Sequence, residues 1–262
     1  MQELAGKWAV ITGASAGIGE HYAREFAALG MHLIIVARRE DRLQSLAAEL
    51  REQHGTIVEV VTADLLADDH PAELLERIEQ IGQPIEVLIN NAGFGFLERV
   101  SASEPDRVQE MITLNISVLT RLTYALIPQM VSRGSGTIIN LSSVAAFQPT
   151  VYMPVYAATK TFVLHFSESL WAELRDQGVQ VQAVCPGPTK SEFFERAGMR
   201  GWYINLAHET SDVVAATLRG MRRRKSVSVV GWLNWLLAVT PRFSPRKLVV
   251  TLSERILRPK GS

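Results

Sequence analysis

The sequence predicts a single doubly wound α/β domain, a parallel sheet with helices on both faces. Three observations predict it. Short β-branched apolar runs alternate with amphipathic runs through most of the 262 residues. The strand-like runs are apolar throughout rather than alternating with polar residues, as strands buried on both faces are. A glycine-rich turn, Thr12-Gly13-Ala14-Ser15-Ala16-Gly17-Ile18-Gly19, joins the first strand-like run to the first helical one.

Residues 8–11 form the first short strand. Residues 18–29 have helical spacing and end at Gly30, a natural C-cap. Residues 33–36 read as the second strand, 41–53 as a helix alternating charge with Leu and Ala, and 57–61 as the third strand. A helix over 71–81 has proline in its first turn. The fourth strand, 87–89, ends at Asn90-Asn91-Ala92-Gly93, and 104–131 has the pattern of one long helix with Pro128 near its end. Residues 136–141 are the fifth strand and 155–176 a helix closed by Gly178. The sixth strand, 179–184, runs into Cys185-Pro186-Gly187-Pro188; a helix over 211–225 and a last strand over 227–230 complete the rhythm. The chain thus divides into a domain of residues 1–230, with a loop lid at 188–206, and a tail of residues 231–262.

Composition narrows the function classes. Twenty-seven basic residues balance twenty-seven acidic ones, which argues against a dedicated nucleic-acid binder. One cysteine, Cys185, allows no intrachain disulfide, predicts a reducing compartment and reads as a buried structural thiol. Six histidines without ligand spacing predict no metal site. The opening Met-Gln-Glu-Leu-Ala-Gly-Lys shows no signal-peptide pattern. The uncharged stretch 134–159 is interrupted by polar residues and prolines, so the expectation is a soluble, cytoplasmic chain.

The glycine turn carries the first chemistry. Gly13, Gly17 and Gly19 permit a tight turn and close backbone approach to a pyrophosphate, which would rest at the helix N-terminus among Ser15, Ala16 and Ile18. No Lys-Ser/Thr follows the last glycine, which argues against a P-loop nucleotidase. The second strand ends Val36-Ala37-Arg38-Arg39. Ala37 cannot hold a ribose 2′-hydroxyl as an acidic residue would, whereas Arg38 and Arg39 suit a 2′-phosphate, so NADP rather than NAD is expected. Asp64, with Leu65 after it, either reaches the adenine or caps its own turn.

Taken in order, the glycine turn, Asn90-Asn91-Ala92-Gly93, Asn115, Ser143, Tyr156-Ala157-Ala158-Thr159-Lys160 and Pro186-Gly187 resemble the short-chain dehydrogenase/reductase family. The resemblance runs from about Lys7 to Val230. It implies a Rossmann-like, seven-stranded parallel sheet in the order 3-2-1-4-5-6-7, NAD(P)-dependent hydride transfer, and a catalytic set of Asn115, Ser143, Tyr156 and Lys160. It also implies that Asn91, Ala92 and Gly93 line the adenosine ribose and that Pro186, Gly187, Thr189 and Ser191 border the nicotinamide carboxamide. Ser191 stands where the family usually has threonine.

The chemistry can also be argued from the residues. Tyr156 and Lys160 are four apart and share a helix face. A phenol titrates near ~10, and a neighbouring ammonium together with a cationic nicotinamide ring is expected to lower that value. Tyr156 then exchanges a proton with a carbonyl oxygen, Ser143 hydrogen-bonds the same oxygen, and Asn115 is expected to hold water against Lys160. Ser142 is the competing serine; the thirteen-residue offset of Ser143 from Tyr156 matches the family spacing.

Aromatic and apolar residues of the lid (Phe193, Phe194, Met199, Trp202, Tyr203, Ile204) and of other loops (Phe94, Phe96, Phe147, Tyr152, Met153) suit an apolar substrate such as a 3-oxoacyl or steroid-like ketone. Packing of the lid on its own domain is the competing account of them. The expected function is NADP-dependent interconversion of a carbonyl and a secondary alcohol in a homodimer or homotetramer. The alternatives are a catalytically silent NADP sensor and a membrane-peripheral interaction protein. The tail, rich in Trp, Leu, Lys and Arg, is expected to pack on the domain or a partner subunit, with membrane contact as the less favoured reading.

Overall fold

The computed structural model describes residues 4–67, 70–198 and 207–258. Its strands are Trp8–Thr12 (β1), His32–Ala37 (β2), Val58–Thr62 (β3), Ile85–Asn90 (β4), Gly136–Leu141 (β5), Val179–Cys185 (β6) and Val227–Val229 (β7). All pair in parallel in the order β3-β2-β1-β4-β5-β6-β7, as the family resemblance implies.

Alternate side chains of each strand feed two cores. Ala9, Ile11, Leu33, Ile35, Val87 and Ile89 face one layer, which comprises helices Gly17–Ala28 (α1), Glu40–His54 (α2) and, from later in the chain, Thr210–Arg222. Val10, Ile34, Val36, Leu88 and Ile138 face the other. There lie His70–Ile81 (α3), the helical run from Pro105 to Arg133, and Pro154–Leu174. Leu43, Leu46 and Leu50 of α2 fall on one helix face, which is why a segment rich in charge still folds against the sheet.

The run expected as one long helix has three parts: Pro105–Ile112 (α4), a π-helical segment Thr113–Val118, and Leu119–Arg133 (α5). A π segment inserts an extra residue into a turn and so rotates the helix beyond it. Asn115 is buried within it, while Leu119, Leu122, Leu126 and Met130 of α5 turn to the sheet. By length and composition the combined run could also cross a bilayer. Pro154–Leu174 is α6, the four-residue helix Phe193–Arg196 is α7, and Thr210–Arg222 is α8. The tail forms Trp232–Val239 (α9) and Arg246–Leu257 (α10). Asn234 Nδ2 donates to the Val230 carbonyl at 2.6 Å, and Ser253 Oγ accepts from the Val151 amide at 2.9 Å.

Candidate active site

The sheet order reverses direction between β1 and β4, and open α/β sheets bind ligands at such a crevice. Gly13 and Gly17 there have φ of +68° and +61°, the left-handed region that favours glycine. Thr12 Oγ1 donates to the Ile89 carbonyl and accepts from the amides of Asn91 and Ala92 at 3.1 and 3.0 Å. Asn91 Nδ2 donates to the Thr12 and Gly13 carbonyls at 2.9 and 3.2 Å. A Cβ at Gly19 would strike the Gly13 carbonyl oxygen and Asn91 Nδ2, so glycine is required for the helix to approach this closely. Ala16 begins α1 with no side-chain cap, which leaves the first amides of the helix to a ligand. With the helix dipole behind them, those amides fit a dinucleotide pyrophosphate. Gly13, Ser15, Ala16, Gly17, Ile18 and Gly19 together form this turn.

Of the two arginines after β2, Arg39 faces the turn. Its Nε and Nη2 donate to Ser15 Oγ at 3.2 and 3.1 Å, and its Nη1 to the Glu192 carboxylate at 2.8 Å. Arg42, one helical turn on, pairs with the same carboxylate, and the two guanidiniums hold Glu192 below the usual carboxylate range, Arg42 contributing most. Arg38 is largely exposed and lies 3.6 Å from Asp64. Asp64 Oδ1 accepts from the Leu66 amide, the turn-capping reading of that residue. Leu65 is buried beside it.

Three elements deliver the four residues expected to be catalytic. Ser143 follows β5, where its hydroxyl accepts from the Ala145 amide at 3.1 Å. Its side chain is also near enough to the Tyr156 phenol to favour the ionised form. Ser142 instead donates to the Lys160 carbonyl, so it points away from the phenol's partner position. Tyr156 and Lys160 lie on one face of α6, and Lys160 Nζ sits 5.7 Å from the Tyr156 ring centroid while donating to the Leu141 carbonyl at 2.8 Å. Asn115, from the π segment, donates to the Phe94 carbonyl and to Thr159 Oγ1 and accepts from the Phe94 amide. Its amide therefore fixes the loop after β4 rather than contacting Lys160 directly. Gly93 lets that loop pass: a Cβ there would lie 2.8 Å from Asn115 Oδ1 and 3.5 Å from Lys160 Nζ.

Burial dominates both titrating groups. It pushes Lys160 down to about 8, and it pushes Tyr156 up to about 12 against the lowering effect of the Ser143 side chain. The expectation that the chain's own ammonium lowers the phenol is thus corrected. Lys160 directs its ammonium to the Leu141 carbonyl, and the loss of water around the ring raises the phenol.

The comparisons with known proteins agree with this fold. The short chain dehydrogenase family profile matches residues 7–200. The chain is 36% identical over 187 residues to the very-long-chain 3-oxoacyl-CoA reductase of Anas platyrhynchos, covering 69% of this chain and 59% of that one. It is 36% identical over 183 residues to 17-beta-hydroxysteroid dehydrogenase type 3 of Mus musculus, with the same coverage of 69% and 59%. The chain belongs to the short-chain dehydrogenase family. It spans about 59% of the length of these curated relatives. A solved short-chain dehydrogenase from Sphingobium yanoikuyae in complex with NADPH superposes at a TM-score of 0.82, with 36% identity, over 98% of this chain and 97% of that one.

The segment after β6 is the one expected from the short-chain dehydrogenase resemblance to border a nicotinamide. Thr189 Oγ1 donates to the Gly187 carbonyl, and Thr189 forms an isolated parallel bridge with His208. Pro186 accepts from the Val144 amide through its carbonyl, and Ser191 Cβ lies 3.1 Å from where a Cβ on Gly17 would sit. Phe193 packs on the Tyr156 ring with centroids 5.6 Å apart, and Phe194, Phe96 and Met153 are buried. Phe94, Phe147 and Tyr152 are half-buried. A Cβ on Gly95 would run into the Tyr156 ring, so this glycine clears the phenol. Met199, Trp202, Tyr203 and Ile204 lie outside the described residues. Cys185 is buried and its thiol is pushed up to about 12 by burial, as befits a structural cysteine.

Sequence reasoning missed three contributors. Thr12 ties β1 to the β4 loop, although its place at the strand end next to Gly13 was a signal. Arg42 and Glu192 join the arginine cluster from one turn along α2 and from the loop after Ser191; no local pattern marks a pair separated by 150 residues.

Proposed function

We propose that this chain is an NADP-dependent oxidoreductase that interconverts an apolar ketone and its secondary alcohol, with 3-oxoacyl and steroid-like compounds as the substrate class. The observation that carries the reading is Tyr156 with Lys160 on one face of α6, Nζ 5.7 Å from the phenol ring, beside Ser143 and the dinucleotide crevice. A nicotinamide bound there supplies hydride transfer. Tyr156 gives a proton to the carbonyl oxygen in reduction and takes it back in oxidation. Ser143 hydrogen-bonds that same oxygen and orients it, and Lys160, with its value near 8, is cationic at neutral pH beside the phenol. The turn at Gly13–Gly19 and the α1 amides hold the pyrophosphate. Arg39 and Arg42 present guanidiniums suited to a 2′-phosphate, which favours NADP, and the NADPH in the similar Sphingobium protein supports that preference. The names of the two curated relatives support the apolar ketone class. A cytoplasmic setting goes with the single buried thiol.

Self-association as a homodimer belongs to the same reading. Tyr124 of α5 stacks on Phe166 of α6 at 6.1 Å, and Phe166 on Phe162 at 5.6 Å, with Tyr124 and Phe162 exposed. Such a ladder on an open helix pair suits a second copy.

Loss of NADPH absorbance with a panel of 3-oxoacyl thioesters, steroid ketones and aryl ketones tests the activity. Turnover is expected, and Tyr156→Phe should lower it at least ~10²-fold while leaving NADPH affinity nearly unchanged. NADPH binding without turnover across the panel would overturn the enzyme reading in favour of a sensor.

A further inference from the structure

We propose that the outer face of α9 and α10 docks on an anionic phospholipid bilayer. The tail touches the domain along a narrow strip. In α9 only Asn234 and Ala238 are buried, and in α10 only Ser253, with Val249 and Leu257 half-buried one turn to either side. Most of the remaining surface of these helices faces outward. Trp232, Trp235 and Leu237 of α9 are exposed, and Phe243 between the helices is 85% exposed. In α10, Leu248, Leu252 and Ile256 recur every fourth residue and are each about half exposed, so they form one apolar stripe beside the packed strip. Lys247, Thr251 and Arg255 make the next stripe round, on the side away from the domain. This is the arrangement of an interfacial helix: an apolar side to sink among acyl chains and a basic flank at headgroup level.

Charge selects the occupant. Between Gly231 and Arg258 stand Arg242, Arg246, Lys247, Arg255 and Arg258, and the one acid, Glu254, is paired with Arg258. A two-fold interface would set this face against itself, cation against cation, whereas anionic headgroups complement it. The seam between tail and domain adds an independent observation. A cavity of about 1030 Å³ there has Phe147, Leu164 and Val249 in its apolar lining and Arg99, Arg242 and Arg246 in its polar lining, with no acidic side chain among the described residues that line it. Guanidiniums beside an apolar floor suit a lipid phosphate with its attached chains. The cavity lies on a different face of α6 from Tyr156 and Lys160, lined instead by Ala157, Thr161 and Leu164, so lipid there leaves the catalytic crevice open.

Flotation of the full chain with vesicles of phosphatidylcholine alone, or of phosphatidylcholine with phosphatidylglycerol, tests the proposal. Binding is expected only with phosphatidylglycerol, and it should fall as salt rises. Two double variants, Trp232→Ser with Phe243→Ser and Arg242→Glu with Arg246→Glu, should each lower vesicle binding about tenfold or more while keeping NADPH binding and the melting temperature. Absence of flotation on anionic vesicles would overturn the proposal. So would equal binding to both vesicle types, or a fall from dimer to monomer in light scattering of the Ser variant without any vesicle binding by the parent, which would assign the face to a second copy.

Discussion

Lys160 carries its charge at a cost, because the residue is 6% exposed and its ammonium donates to a neutral carbonyl rather than to a carboxylate. Its folded value near 8 lies below the ordinary lysine value of 10.5, so between these limits the unfolded chain binds the proton and the folded chain does not. Stability therefore gains from Lys160 as pH rises through that window, on the order of 3 kcal/mol across it. Chemical denaturation of the parent and of Lys160→Met at pH 7, 9 and 10 should show this as a difference that changes in the parent's favour with pH and levels off toward pH 10.5; a constant difference would mean that Lys160 titrates normally. The raised value of Tyr156 acts above pH 10 in the opposite direction and is common to both proteins.

Among the elements, the segment from Thr189 to Arg196 connects the two ends of the dinucleotide crevice. Its Phe193 lies on the Tyr156 ring, and its Glu192 reaches Arg39 and Arg42 beside the glycine turn. A 2′-phosphate would compete with that carboxylate for the same guanidiniums. Glu192→Gln should accordingly tighten NADPH several-fold in direct binding measurements and leave NADH almost unchanged. Arg39→Ala should weaken NADPH more than NADH, and more than Arg38→Ala does. Equal responses of the two cofactors to Arg39→Ala would remove Arg39 as the phosphate ligand. The π segment has a comparable positioning role. By interrupting α4 and α5 it brings Asn115 into the core, where its amide holds both backbone groups of Phe94.

For the molecule as a whole, the parallel sheet buries both its faces, and the crevice at the β1–β4 reversal is the place where strand ends and a helix N-terminus meet. The same packing leaves α5 and α6 with an outward aromatic ladder. Tyr124→Asp together with Phe162→Asp should convert a dimer to a monomer in size-exclusion light scattering, with little loss of melting temperature because both side chains are exposed in one chain. An unchanged mass, whether dimeric or monomeric, would remove this face as the contact.

Local chemistry made much of this readable from residue order. Continuous apolar strands, Gly13, Gly17 and Gly19 at a strand–helix turn, and Tyr156 four residues before Lys160 each encode their geometry within a few neighbours. Period and φ preference act at that range, so the fold and the catalytic face could be anticipated. The break in the helix at Thr113–Val118, the choice of Arg39 over Arg38 at the turn and the Glu192 bridge could not, since each depends on what lies opposite after the sheet has formed. The direction of the Tyr156 shift has the same origin: proximity to Lys160 is written in the spacing, but the desolvation that raises the phenol depends on every element packed around it.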